Sequence, residues 1–119
     1  MEEHKRKAIE YLKASKLNYE NGFYDISVIL AEEALYIFLV SNLLSYDVKI
    51  PWYLDFDGLF RILEKYNKNI SKFRENKVMI RALDQIRIMF RYSVPHEIKK
   101  EEAEKILSFV EEVINSLNP

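Results

Sequence analysis

The sequence predicts an all-α fold, an up-and-down bundle of four to five helices in a single domain. Three observations predict it. Only two glycines and three prolines occur in 119 residues, so few turns are available and the elements must be long. The segment from about Lys100 to Leu117 places Ala103, Ile106, Leu107, Val110, Val113, Ile114 and Leu117 on one stripe, the clearest helical period in the chain. The segment Ile26 to about Ser45 is apolar on nearly all sides, the pattern of a helix with neighbours all around it.

The elements follow in order. A first amphipathic helix is expected from about Glu3 to Tyr19 or Glu20, with Ala8, Ile9, Leu12 and Tyr19 facing inward and lysines interleaved. Asn21-Gly22 stops it, since both residues tolerate positive φ. Asp25 is expected to cap the second, central helix, which Glu32 and Glu33 alone interrupt strongly. Part of that helix is expected to face another subunit, because a domain this small cannot cover it on all sides. A connector containing Pro51 follows, whose Trp52, Tyr53 and Phe56 are expected to lid the bundle. Asp55 or Asp57 starts a short third helix through Leu59, Phe60, Ile62, Leu63 and Tyr66. Ser71 is expected to cap a fourth helix reaching about Tyr92, where Ser93-Val94-Pro95 ends it, because the residue before proline avoids the helical region.

At 119 residues the chain holds one core, and a 49% hydrophobic, 31% charged composition is that of a folded domain. There is no cysteine, which excludes disulfides and thiolate metal sites. The only histidines are His4 and His96, with no acidic cluster at ligand spacing, so neither a metal nor a cofactor is expected. The net charge of −1 argues against a protein that coats nucleic acid by charge alone, so RNA binding would rest on a local basic patch. The charged start Met1–Lys7 is unlike a signal peptide. The longest uninterrupted apolar run, Ala34–Val40, falls far short of the roughly 20 residues of a membrane span. The expectation is a cytoplasmic protein with no membrane association.

On the fourth helix, Val78, Met79, Ala82, Leu83, Ile86, Met89 and Phe90 share a broad apolar face, read as the core side. Asp84, Arg87 and Arg91 form a polar stripe at i, i+3 and i+7. Ile80 and Ile88 lie near it, and Ile80, Asp84 and Ile88 are expected to form a homodimer seam. Asp84 is expected to pair with Arg87 or Arg91 along the helix.

Arg91 and His96 are separated by four residues where this helix ends. A histidine, with an ordinary pKa of about 6.5, moves protons near neutral pH. A planar guanidinium holds a phosphate through two hydrogen bonds at once. Together they can serve a phosphodiester without metal. Arg91 also suits the C-terminal end of a helix for the dipole alone, so the pair has a structural reading as well.

Ala8-Ile9-Glu10-Tyr11-Leu12, Asn21-Gly22-Phe23-Tyr24-Asp25, Ala31-Glu32-Glu33-Ala34-Leu35, Leu59–Leu63 and Phe90-Arg91-Tyr92 with Pro95 and Glu101-Glu102-Ala103 occur in this order. In that arrangement the chain resembles the HEPN superfamily (higher eukaryotes and prokaryotes nucleotide-binding domains) over nearly its whole length. The resemblance implies a helical bundle that dimerises. It also implies a metal-independent ribonuclease whose Arg-x4–6-His motif, contributed by both protomers, forms a composite site. Prokaryotic relatives are often toxins encoded beside a minimal nucleotidyltransferase antitoxin. Carried over, Arg91 and His96 are the catalytic pair, and Arg87, Lys99 and Lys100 are candidates for RNA or nucleotide binding. Three functions stay open: a toxin-type ribonuclease, a catalytically silent module that binds a nucleotide or a nucleotidyltransferase partner, and a structural helical dimer.

Overall fold

The computed structural model describes residues 2–51, 54–92 and 97–117, and the side chains of all of these except 90–92. Among the described residues all regular structure is helical: α1 (Glu2–Glu20), α2 (Tyr24–Leu44), α3 (Phe56–Glu64), a 3-10 turn (Lys68–Ile70), α4 (Ser71–Arg74), α5 (Lys77–Tyr92) and α6 (Lys100–Leu117).

α1 and α2 form a helical hairpin. Its turn is chemically specified: the N–H of Phe23 donates to the carbonyl of Asn18 at 2.8 Å, and that of Gly22 donates to Tyr19 at 3.1 Å. This pair of bonds closes a helix when the residue past its end is left-handed, and Gly22 sits at φ 81°. A side chain at that φ is strained, so Gly22→Ala is expected to cost about 1 kcal/mol, read as a lower Tm. No atom lies near enough to add a steric cost.

Midway along the hairpin, small residues let the two helices approach. Ser15 Oγ donates to the Ser27 carbonyl at 2.6 Å, and Ser27 Oγ donates back to the Ser15 carbonyl at 2.9 Å. Both serines are fully buried, and the reciprocal bonds satisfy them. Ala8, Ala31 and Ala34 are likewise fully buried.

α6 lies against α2 and α1, burying Ala103, Val110, Val113 and Ile114 on the stripe read from the sequence. Lys16 pairs with Glu111, and the Tyr19 hydroxyl donates to Glu104 at 3.3 Å, so the outer edge of the α1–α6 contact is polar. α3 closes another side with Phe56, Leu59, Phe60 and Leu63. Its N-cap is Asp55, whose carboxylate accepts the Gly58 N–H at 2.8 Å. The aromatic core continues through Phe109, whose ring centroid lies 6.3 Å from Phe60 and 6.0 Å from Phe73.

Four expectations are corrected. The single helix from Ser71 to Tyr92 is two helices. Asn76 breaks it by accepting the Met79 N–H on its side chain at 3.2 Å, which starts α5 afresh, while Arg74 ties α4 back to Glu64 at 2.7 Å. Asp25 is not the cap of α2. That helix starts a residue earlier, at Tyr24, without a side-chain cap bond. Ile80 does not face a second subunit: it is 3% exposed and packs in the chain's own core. Val78, placed on the core side, is 71% exposed. The last two share a cause. α5 is rotated so that its polar stripe turns toward α2 and α3, carrying Ile80 inward and Val78 out. The expected lid of Trp52 and Tyr53 lies outside the described residues; Phe56 is fully buried.

α2 is long and apolar enough by composition to cross a membrane, with mean hydropathy 1.7 over an 18-residue window. In the fold 61% of that window is buried inside the protein, as fits the central helix of a bundle.

Candidate functional site

The polar stripe of α5 organises the site. Asp84, on its second turn, reaches α3 and not Arg87. Its carboxylate accepts the N–H of Phe56 at 2.9 Å. That N–H belongs to the first turn of α3, where no carbonyl within the helix can accept it. Asp84 therefore works as a tertiary cap, and the expected pairing along the helix is corrected. As a seam residue Asp84 is already engaged inside its own chain.

One turn on, Arg87 points at α2. Its Nη1 lies 3.3 Å from Glu33 Oε1, its Nε 3.5 Å from Glu32 Oε2, and its Cζ 3.7 Å from the ring centre of Tyr36. The Glu32 side chain is 1% exposed and that of Arg87 23%. A carboxylate this deep requires opposite charge and hydrogen bonds near it, and Arg87 supplies charge from one side. Stacking a guanidinium on a tyrosine face adds cation–π attraction while leaving its in-plane donors free for the two carboxylates. Tyr36 in turn meets the Phe56 ring edge-on at 5.8 Å. Arg87, proposed from the sequence as a contact for RNA or nucleotide, is thus neutralised by α2 and works as a clamp between α5 and α2.

Glu32, Glu33 and Tyr36 were missed as site residues. A signal was present: two glutamates on an otherwise apolar central helix need a cation, since buried carboxylates seldom stand alone. The number of candidate cations hid the choice.

Burial pushes the Asp84 carboxyl above its ordinary value, with Asp55 and Asp57 nearby adding to the effect; the Phe56 N–H and Arg87 oppose it. A raised acid has its charged form penalised in the fold. Stability is therefore lost as pH rises from the ordinary carboxylate range through the raised value, and the penalty stays in force above it. Asp84→Asn keeps an oxygen that accepts the Phe56 N–H and removes the charge. Its Tm is expected to exceed that of the wild type at pH 7, with the advantage vanishing in acid below the ordinary value of 3.8. Asp84→Ala, which strands the N–H, is expected to lower Tm at both pH values.

Arg91 follows Arg87 by one turn, in the last turn of α5. Its side chain and all of His96, the expected catalytic pair, lie outside the described residues. The chain is described again from Glu97. Ile98 is 7% exposed, and its N–H donates to Asp25 at 3.0 Å. Lys99 donates its N–H to Glu102 at 3.3 Å and accepts the Ala103 N–H on its carbonyl at 3.0 Å, which starts α6. Lys99 and Lys100, the remaining candidate cations, are exposed, and Ile88 of the expected seam is 55% exposed.

Residues 1–118 match the HEPN domain family. No curated protein matches the chain.

Proposed function

The chain belongs to the HEPN family, and from that premise we propose that it is a dimeric, metal-independent endoribonuclease of toxin type, acting on RNA in the cytoplasm through Arg91 and His96. The observation that carries this reading is the four-residue spacing of Arg91 and His96 where α5 ends, in a chain that matches the family from end to end. His96 takes the proton of the ribose 2′-hydroxyl. The 2′ oxygen attacks the adjacent phosphorus, and the bond to the 5′ oxygen breaks as that oxygen takes a proton from water. The products are a 2′,3′-cyclic phosphate and a 5′-hydroxyl end. Arg91 stabilises the charge that builds on the phosphoryl oxygens in the transition state. Lys99 and Lys100 attract the backbone of the RNA.

The dimer is proposed to form on the apolar residues that the fold leaves partly open. On α2, Leu30, Ile37, Val40 and Leu44 are only partly covered, and Ile26 is 49% exposed. Ile88 of α5 adds a further exposed apolar side chain. Charge on such a seam opposes association, so Ile37→Asp is expected to shift sedimentation from dimer to monomer.

Incubation of purified protein with RNA in excess chelator tests the activity. Cleavage leaving cyclic phosphate ends is expected. A folded dimer that cleaves no RNA would overturn the proposal. It would favour instead a catalytically silent module that binds a nucleotide or a minimal nucleotidyltransferase antitoxin.

A further inference from the structure

Seven of the chain's eighteen lysines and arginines fall between positions 61 and 81, against two of its nineteen acids. A chain of net charge −1 therefore carries one strongly basic region. In the fold it runs from the last turn of α3 through the 3-10 turn and α4 into the first turn of α5. Local partners account for part of it. Arg74 is tied to Glu64, and Arg61 and Lys77 share the Asp57 carboxylate at 3.7 and 3.8 Å. Lys65, at the end of α3, suits the helix dipole. Lys68 and Lys72 have no such account. Both are exposed, and among the described residues neither forms an ion pair. Lys72 Nζ stands 5.0 Å from the centre of the Phe73 ring, a neutral partner. The two lysines line a cleft of about 620 Å³ with Asn69 and Ser116, whose amide and hydroxyl can donate hydrogen bonds; Glu75 also lines it.

A second observation adjoins this cluster. Tyr66 stacks on Tyr46, with ring centroids 4.9 Å apart and planes inclined by 20°. Phe60, Phe73 and Phe109 meet inside the core, whereas Tyr46 is 40% and Tyr66 49% exposed. Amines with unbalanced charge beside flat, open rings are what a single-stranded nucleic acid uses: the amines meet phosphates and the rings meet bases. An acidic protein or an anionic membrane would use the amines and has no need of the stack. We propose that the corner between α3 and α4 binds single-stranded RNA, with Lys68 and Lys72 on phosphates and a base stacked on the Tyr46–Tyr66 pair. The choice of RNA rests on the ribonuclease reading; the surface itself uses neither Arg91 nor His96.

The probe is a short fluorescent oligonucleotide with 2′-O-methyl riboses, which lack the nucleophile and stay intact. Its binding to the full chain is followed by anisotropy over a range of salt. Lys68→Ala with Lys72→Ala is expected to lower the slope of log Kd against log salt by about 1.4, at about 0.7 for each single-strand phosphate contact. Lys7→Ala with Lys13→Ala removes the same charge from α1 and is expected to leave the slope unchanged. Tyr66→Leu keeps apolar bulk against Tyr46 and loses the flat ring. It is expected to weaken binding about ten-fold with the slope unchanged, and Tyr66→Phe to restore it. An unchanged slope in the Lys68 and Lys72 variant would overturn the proposal. So would full affinity in Tyr66→Leu, which with a reduced slope would leave a site for an acidic protein instead. Phosphatidylglycerol vesicles bound in place of the oligonucleotide would overturn it in favour of a membrane surface. A wild type that binds as expected and cleaves no RNA would refute the ribonuclease reading and leave this surface standing. Cleavage whose KM ignores the Lys68, Lys72 and Tyr66 substitutions would keep that reading and overturn this one.

Discussion

In His96→Ala, chelator-resistant cleavage is expected to fall by about 100- to 10,000-fold, the range for removing a general acid–base group. Thermal unfolding and dimerisation are expected to stay at wild-type values. The alternatives predict otherwise: a silent module or a structural dimer has no cleavage to lose. Arg91→Lys separates the roles further. Lysine keeps the charge and loses the planar, two-pronged donor, so partial activity is expected if Arg91 acts mainly as a charge and near-complete loss if bidentate geometry governs. Cleavage that survives in His96→Ala would remove His96 from the site and trace the activity to a contaminant or to another group. RNA with a 2′-deoxy substitution at the scissile nucleotide provides the matching check on the substrate side, since it lacks the nucleophile.

The helical class and most helix ends were readable because they depend on short-range patterns. The stripe from Ala103 to Leu117 has one regular period and one buried face, and the structure buries it. The stop at Gly22 follows from a conformation that glycine adopts without strain. Features set by distant partners were not readable. Nothing near Asp25 in sequence announces Ile98, and a helix-cap reading was the natural local one; the actual bond crosses 73 residues. Asn76 was lost inside a longer apolar pattern, although asparagine is a preferred N-cap. The rotation of α5 depended on tertiary charge. A helical wheel ranks faces by apolar content, and on that ranking the side with Asp84 and Arg87 looks solvent-facing. It turns inward because α2 offers Glu32, Glu33 and Tyr36, and because α3 offers an unmet N–H. The sequence shows Arg91 and His96 and their spacing; it does not show what holds α5 in place.

That holding force gives Arg87 a large expected effect on stability. Arg87→Met keeps most of the aliphatic stem over Tyr36 and removes the charge that faces Glu32 and Glu33. Taking one member from a buried ion pair typically costs about 3–5 kcal/mol, because the remaining charge keeps its desolvation penalty. Arg87 retains 23% exposure and Glu33 32%, which places the expected cost at the lower end, about 3 kcal/mol, or roughly 10 °C in Tm for a domain of this size. The pairing can be isolated by a double-mutant cycle. Glu32→Gln alone is expected to be destabilising, but in the Arg87→Met background it should restore part of the loss, since it removes the buried charge that Arg87 faced. Glu33→Gln, at the more exposed carboxylate, should couple weakly by comparison. Additive effects for Glu32 and Arg87 would show that their proximity carries no interaction and that α5 is held by its other contacts. The functional consequence separates the same alternatives. Arg91 stands one turn beyond Arg87 on a single helix, so loosening the clamp is expected to lower cleavage in Arg87→Met well below the temperature at which the protein unfolds. If Arg87 instead contacts RNA directly, the log–log slope of KM against salt should fall by about one in the mutant while Tm stays put. Stability and salt dependence thus assign Arg87 to one role or the other, whatever the absolute rate of cleavage.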